Sequence, residues 1–134
     1  MATLESKYLG ELRTEVTHLQ SGNKITTDAP LDNNGKGEFF SPTDMLVAAL
    51  GSCMMTIIGI TAKNHGFSVE GMKIESTKVM AANPRRVSEI EINIFMPKNE
   101  YNDREKRLIE SSAKTCPVEN SLHTDIKRII NFIY

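Results

Sequence analysis

The sequence predicts an α+β fold in which antiparallel strands pack against one long, buried helix. Three observations support this prediction. Residues 41–66 form an apolar segment with clear helix start and stop signals. Residues 72–80 and 87–96 alternate between apolar and polar side chains and are joined by a short turn, and shorter helices then lead to a last strand. At 134 residues, the chain is expected to form a single domain over residues 1–134.

The ends of the central helix are marked by residues with specific capping roles. Ser41 is a good N-cap, Pro42 suits the first helical position, and Asp44 can accept hydrogen bonds from the exposed amides three residues later. Gly66 suits the left-handed conformation that often follows a helix. We therefore expect a helix of 24 residues, which is about 36 Å long at 1.5 Å per residue.

Apolar residues surround the axis of this helix, which predicts burial on all sides. Its length exceeds what one face of a small sheet usually covers, so a second chain is expected to supply the remaining cover. A membrane-spanning role is less well supported, because the unbroken apolar part is shorter than the ~20 residues that a bilayer needs. The apolar residues are Met45, Leu46, Val47, Ala48, Ala49, Leu50, Met54, Met55, Ile57, Ile58 and Ile60.

The other elements follow from local patterns. Residues 8–18 are predicted to be one strand that forms a hairpin with residues 24–27 around a Ser-Gly turn. The strands at 72–80 and 87–96 should form a second antiparallel hairpin. An amphipathic helix is expected to begin at Asn102 or Asp103 and to be followed by a short helix after Cys116 and a strand within 125–134.

Composition and charge exclude several classes of function. The chain is 40% hydrophobic and 25% charged, with a net charge of −1, so it lacks the positive field of a nucleic-acid interface. The basic pairs Arg85-Arg86 and Lys127-Arg128 are interpreted as solvated surface charges. Because the first ten residues lack the apolar core of a signal peptide, we expect a cytoplasmic protein with reduced thiols.

The two cysteines are the main candidates for chemistry. Cys116 precedes Pro117 at the expected start of a helix, where the amides would stabilise a thiolate and lower the pKa of the thiol. Cys53 lies within the apolar helix, where burial would raise its pKa unless a cation such as Arg13 reaches it. The residues alone leave open whether the cysteines are core residues or a redox pair. Metal binding is less well supported, because the three histidines are scattered and no ligand motif is present.

The segments SPTDMLVAALGSC and CPVENSL resemble the OsmC/Ohr family of osmotically inducible and organic hydroperoxide resistance proteins. The resemblance extends in order and spacing over nearly the whole chain, including GELRTEVTH, TDAP and PRRVSEIEINIFMP. It implies an OsmC-like fold and an intertwined homodimer, with two sheets enclosing the paired central helices and active sites at the subunit interface.

The resemblance also implies a reaction. Cys53 would attack the O–O bond of an organic hydroperoxide, and Cys116 would convert the resulting sulfenic acid into a disulfide. A dithiol or lipoyl-type reductant would reset the pair, with no metal or other cofactor. Such an activity would give the protein an antioxidant role in the oxidative stress response.

The resemblance implies two further site residues, an arginine and a glutamate, and this chain matches neither of them closely. Arg13 is a loose match to the arginine that activates the family's reactive thiolate. The family's glutamate at the start of the cysteine helix corresponds to Thr43, followed by Asp44, which either substitutes for it or only caps the helix. The alternative function is therefore a non-catalytic OsmC-like binding protein, or a redox sensor, for an apolar or thiol-reactive metabolite.

Overall fold

The computed structural model describes residues 1–134 and confirms the α+β class. The chain divides into two compact units, Met1–Leu46 and Val47–Tyr134, with the boundary inside the central helix. Its strands and α-helices, in chain order, are β1 (Leu4–Gly10), β2 (Arg13–His18), β3 (Lys24–Asp28), α1 (Pro42–His65), β4 (Lys73–Ala81), β5 (Arg86–Phe95), α2 (Asp103–Ala113), α3 (Pro117–Ser121) and β6 (Lys127–Ile133).

The N-terminal unit contains an antiparallel sheet in the order β1-β2-β3. The pairing of β2 with β3 confirms the predicted hairpin, but the prediction of a single strand over residues 8–18 is wrong. The chain reverses at Glu11 and Leu12, whose φ values of 52° and 63° lie in the left-handed region. Neither residue type is typical of such a tight turn, and the turn signal in this segment was Gly10, whose φ is 88°.

The central helix α1 begins and ends as predicted. The Asp44 N–H donates to Ser41 Oγ at 3.0 Å, and the Ser41 N–H donates to the Asp44 carboxylate at 2.9 Å. This reciprocal pair satisfies two amides that the helix itself leaves without partners. At the other end, Gly66 follows the helix with a φ of 77°.

The C-terminal unit contains a sheet in the order β4-β5-β6. The β4–β5 hairpin is antiparallel, as predicted, with Ile74 opposite Ile94. The expectation of antiparallel pairing throughout is wrong for β6, which runs parallel to β5. This geometry is possible because α2 and α3 lie between the two strands in the chain and provide the long connection that parallel strands need.

The core of the C-terminal unit lies between α1, β5 and the connecting helices. Side chains of α1 spaced one turn apart and alternate side chains of β5 are fully buried, which confirms the predicted inward face of β5. Gly51 lies close to β4, since a Cβ built on it would be 3.4 Å from Ile74 Cγ2. The residues with no exposed surface are Leu50, Met54, Ile58, Ile90, Ile92, Ile94, Ile109, Ala113 and Cys116.

In the single chain, α1 is buried on one side, and the cover of its other side by a second chain stays a prediction. Leu46 is 37% exposed and Ile60 is 51% exposed, while Ala48, Ala49, Ser52 and Thr56 are also exposed. By length and composition alone α1 could cross a membrane, a test that the core helices of soluble proteins also pass. One side of α1 therefore packs into the core, and the other side is apolar and uncovered.

Candidate functional site

The structure brings Cys53 and Cys116 together within the C-terminal unit. Cys53 lies near the middle of α1, and Cys116 lies at the end of the connection from α2, where it caps α3. Both thiols are free, and Cys53 lies close enough to Cys116 to raise the pKa of the Cys116 thiol. Tertiary packing therefore places two cysteines, distant in sequence, where they can react with each other.

Cys116 is fully buried at the N-cap of α3. Its Sγ accepts a hydrogen bond from the Glu119 N–H at 3.3 Å, as the predicted N-cap position implies. The expectation of an exposed thiol with a lowered pKa is nevertheless wrong. Burial raises the pKa of the Cys116 thiol, the Glu119 N–H opposes this rise, and the neighbouring Cys53 thiol and Glu119 carboxylate add to it. Because α3 has only five residues, its dipole is too small to outweigh burial.

Cys53 is half-buried at the edge of the core, so it is the more accessible of the two thiols. In the single chain, this difference follows from the uncovered side of α1 and from the core residues that surround Cys116.

Arg13 is held by carboxylates within the N-terminal unit. Its Nε and Nη2 donate to the two Asp28 carboxylate oxygens at 2.6 and 2.8 Å, and Nη2 lies 3.5 Å from Glu38 Oε2. The Phe39 ring stacks against the same guanidinium at 4.8 Å. Arg13 is therefore a paired and partly covered arginine and not a freely solvated surface group.

Asp28 is the buried carboxylate in this cluster that sequence reasoning missed. It is only 1% exposed, and it also accepts the Glu38 N–H at 3.1 Å. Its pairing with Arg13 lowers the pKa of the Asp28 carboxyl group and raises the pKa of the guanidinium. The signal was present in the predicted hairpin, because counting outward from its turn pairs Arg13 with Asp28.

Replacement of Asp28 by asparagine is expected to lower the free energy of unfolding at neutral pH. The free energy of unfolding of the variant should also change less as the pH falls into the acid range. The pKa of Asp28 is lower in the folded state than in the unfolded state. The stability that Asp28 contributes is therefore present above its unfolded pKa of about 3.8, and it is lost as the pH falls through its folded pKa. The unfolding midpoint in urea, measured from neutral pH down to strong acid, tests this. Asp125→Asn, whose side chain is 72% exposed, is the control and should follow the native curve. Parallel curves for native and Asp28→Asn protein would contradict the prediction.

The start of α1 contains Thr43 and Asp44, where the resemblance to the OsmC/Ohr family implied a glutamate. Asp44 accepts a hydrogen bond from the Ser41 N–H, and the Thr43 hydroxyl lies 3.2 Å from Ser41 Oγ. Of the two roles considered for Asp44, capping is therefore the one seen in the structure. No three His, Cys, Asp or Glu side chains come together as a metal-binding group.

A second arginine, Arg128 on β6, was wrongly interpreted as a solvated charge. Its side chain is only 15% exposed and pairs with Glu119 at 3.2 Å, whereas its neighbour Lys127 is 70% exposed, as predicted. The strand pattern contained a signal, because Arg128 falls on the same face as Ile126 and Ile130. The pair thus connects the turn that contains Cys116 to the sheet.

Comparison with protein-family models assigns this chain to a family. The model of the OsmC-like protein family matches residues 35–131, which is well over half of the chain. The chain belongs to the OsmC family. The matched range contains Cys53 and Cys116, whereas Arg13 lies outside it. No curated protein matches the chain.

Solved structures agree with this assignment to the OsmC family. A Psychrobacter arcticus protein, named for osmotic stress induction and a detoxification response, is 50% identical, with a TM-score of 0.94 over 98% of this chain and 96% of that one. The organic hydroperoxide resistance protein OsmC of Legionella pneumophila is 17% identical, with a TM-score of 0.78 over 100% and 98% of the two chains. One from Elizabethkingia anophelis is 14% identical, with a TM-score of 0.76 over 99% and 96%. The last two comparisons show that the OsmC fold is shared.

Proposed function

We propose that this OsmC family member is a thiol-dependent peroxidase that reduces organic hydroperoxides, with hydrogen peroxide as a second substrate. The observation that carries the proposal is the pair of neighbouring free thiols, with Cys53 half-buried and packed against the core cluster that contains the buried Cys116. Cys53 is the more exposed thiol of the single chain, and Cys116 is the neighbouring thiol that would react with its oxidised form. The apolar core beside Cys53 favours an organic substrate.

The proposed cycle has three steps. The Cys53 thiolate attacks one oxygen of the O–O bond, which breaks to release an alcohol and leaves a sulfenic acid on Cys53. The Cys116 thiolate then attacks that sulfur, the oxygen leaves as water after protonation, and a disulfide forms. A dithiol or lipoyl-type reductant reduces the disulfide by exchange and is itself oxidised to a disulfide.

Arg13 is the third proposed member of the site, as the cation that favours the Cys53 thiolate. An arginine retains its charge at any physiological pH, and bidentate pairing with Asp28 fixes the orientation of this one. Arg13→Gln is expected to slow the reaction of Cys53 with hydroperoxide, whereas Arg13→Lys should retain much of the native rate. Equal rates in all three proteins would remove Arg13 from the site.

We also propose that the protein is a cytoplasmic homodimer whose active sites lie at the subunit interface. The uncovered apolar side of α1, including Ile60 at 51% exposure, is the surface that a second copy would bury. Ile60→Glu is expected to shift the native dimer to monomer in sedimentation velocity. Lys63→Glu, at an exposed position one turn on, is the control and should leave the dimer intact. A native protein that sediments as a monomer at all concentrations would contradict this proposal.

Titration of free thiols tests the peroxidase proposal directly. The reduced protein is mixed with one equivalent of an organic hydroperoxide, and the remaining thiols are counted over time. The native protein should rapidly lose both thiols, and Cys53→Ser should retain its one remaining thiol. Two unreactive thiols in the native protein would overturn the proposal.

A redox sensor or binding protein is the second candidate function. It is favoured by the absence of the family glutamate at Thr43 and by the use of the Asp44 carboxylate in the helix cap. A sensor would lose its thiols stoichiometrically with peroxide, but it would not consume further peroxide when a dithiol is added. Continued consumption with lipoyl or other dithiol reductants identifies the peroxidase.

A further inference from the structure

Arg128 binds the segment that follows Cys116 at several points at once. Its Nη1 donates to the carbonyl oxygens of Ile126 at 2.5 Å and His123 at 3.1 Å, and its Nη2 donates to those of Glu119 at 3.3 Å and Leu122 at 3.4 Å. Its Nε lies 3.2 Å from the Glu119 carboxylate. A single guanidinium therefore satisfies four carbonyl groups and one carboxylate.

These contacts stabilise a helix that is too short to be stable alone. The five residues of α3 have few internal hydrogen bonds, and short helices depend on tertiary contacts. Two of the carbonyl oxygens that Arg128 binds, those of Glu119 and Leu122, lie in the last turn and at the C-cap of α3. Cys116 is the N-cap of the same helix, so the position of its thiol depends on Arg128.

The charge of Arg128 also bears on the buried thiol. Glu119 has two opposed effects on Cys116. Its N–H donates a hydrogen bond to Sγ and favours the thiolate, whereas its carboxylate disfavours a second negative charge nearby. The Arg128 side chain is 15% exposed and that of Glu119 is 22% exposed, so solvent screens this ion pair less than a surface pair. The guanidinium offsets the charge of the Glu119 carboxylate.

We propose that Arg128 is a positioning residue for Cys116: it holds α3 so that the thiol faces Cys53, and it neutralises the Glu119 carboxylate beside that thiol. This inference rests on the proposed function, in which Cys116 is the resolving thiol. The groups that act on Cys116 are Cys53 from α1, Glu119 from α3 and, through Glu119, Arg128 from β6. Arg128 thereby promotes the attack of the Cys116 thiolate on the oxidised sulfur of Cys53.

The test separates the ionisation of Cys116 from peroxide chemistry. In a Cys53→Ser background, the ultraviolet absorbance of the Cys116 thiolate is followed against pH, and the signal of the doubly substituted Cys53→Ser/Cys116→Ser protein is subtracted. Arg128→Gln, Glu119→Gln and the combined Glu119→Gln/Arg128→Gln change are introduced into this background. Lys127→Gln, on the same strand but 70% exposed, is the matched control.

Arg128→Gln is expected to lower the thiolate fraction at mildly alkaline pH by about three- to tenfold, because it leaves the Glu119 charge unbalanced. Glu119→Gln should raise that fraction, the combined change should return it close to the native value, and Lys127→Gln should leave it unchanged. Rescue by the second substitution is a result that simple loss of structure would not give. If Arg128→Gln does not fold, Glu119→Gln alone decides the charge effect.

The positioning role is tested with both cysteines present. After one equivalent of hydroperoxide, Arg128→Lys should form the disulfide several-fold more slowly than the native protein and should allow more trapping of the Cys53 sulfenic acid by dimedone. Native rates of disulfide formation in Arg128→Lys and Arg128→Gln, with unchanged thiolate profiles, would overturn the inference. The native protein could fail to react with hydroperoxide while the Cys116 thiolate profile still responds to the Arg128 and Glu119 substitutions as described. That result would overturn the proposed function and leave the role of Arg128 at Cys116 intact.

Discussion

Replacement of Cys53 by serine is expected to reduce hydroperoxide turnover to the uncatalysed level. The attack on the O–O bond needs a thiolate, and a serine hydroxyl is neither ionised at neutral pH nor comparably nucleophilic. Cys116 cannot take over this role, because it is fully buried and burial raises its pKa. Hydroperoxide consumption in the presence of excess dithiol measures the effect.

Cys116→Ser is the comparison that assigns the two roles. Cys53 is intact in this variant, so we expect one rapid attack per subunit and a long-lived sulfenic acid, detectable by mass spectrometry after trapping. Steady turnover should fall, because the disulfide that the dithiol normally reduces cannot form. Normal steady-state turnover in Cys53→Ser would contradict the assignment, and so would unchanged steady-state turnover in Cys116→Ser.

Ile92→Ala is expected to cause the largest loss of stability among simple core substitutions. Ile92 is fully buried in the middle of β5, between Ser76 of β4 and Ile130 of β6. Removing its side chain loses hydrophobic transfer free energy and leaves a cavity, which together cost about 2 to 5 kcal/mol. Since small domains have roughly 5 to 15 kcal/mol of total stability, this is a large fraction of it.

The matched control is Ile133→Ala, which makes the same chemical change at a 40% exposed position of β6. Its cost should stay below about 1 kcal/mol, because little burial is lost and no enclosed cavity forms. Urea unfolding followed by circular dichroism gives both values. Equal costs for the two substitutions would contradict the arrangement of the core.

Much of the candidate site could be predicted from the sequence. The cysteine helix and the Cys-Pro turn were both recognisable, and the N-cap position of Cys116 was predicted correctly. The accessibility of the two thiols was not, because it depends on which residues of other elements cover each sulfur. The partners of Arg13 and the role of Arg128 were missed for a similar reason, since isolated charges were interpreted as solvated when their partners lie on other strands or helices.

The sequence by itself determined the local features of the fold, which depend on residues close together in the chain. The limits of α1 follow from its caps at Ser41 and Gly66, and the strands β4 and β5 follow from alternation with a period of two. Only the tertiary structure decided that β6 runs parallel to β5, that Cys116 is the more buried thiol, and that Arg128 secures the turn beside it. The physical reason is that burial, strand direction and charge pairing depend on residues far apart in the chain, whose contacts exist only once the elements have packed together.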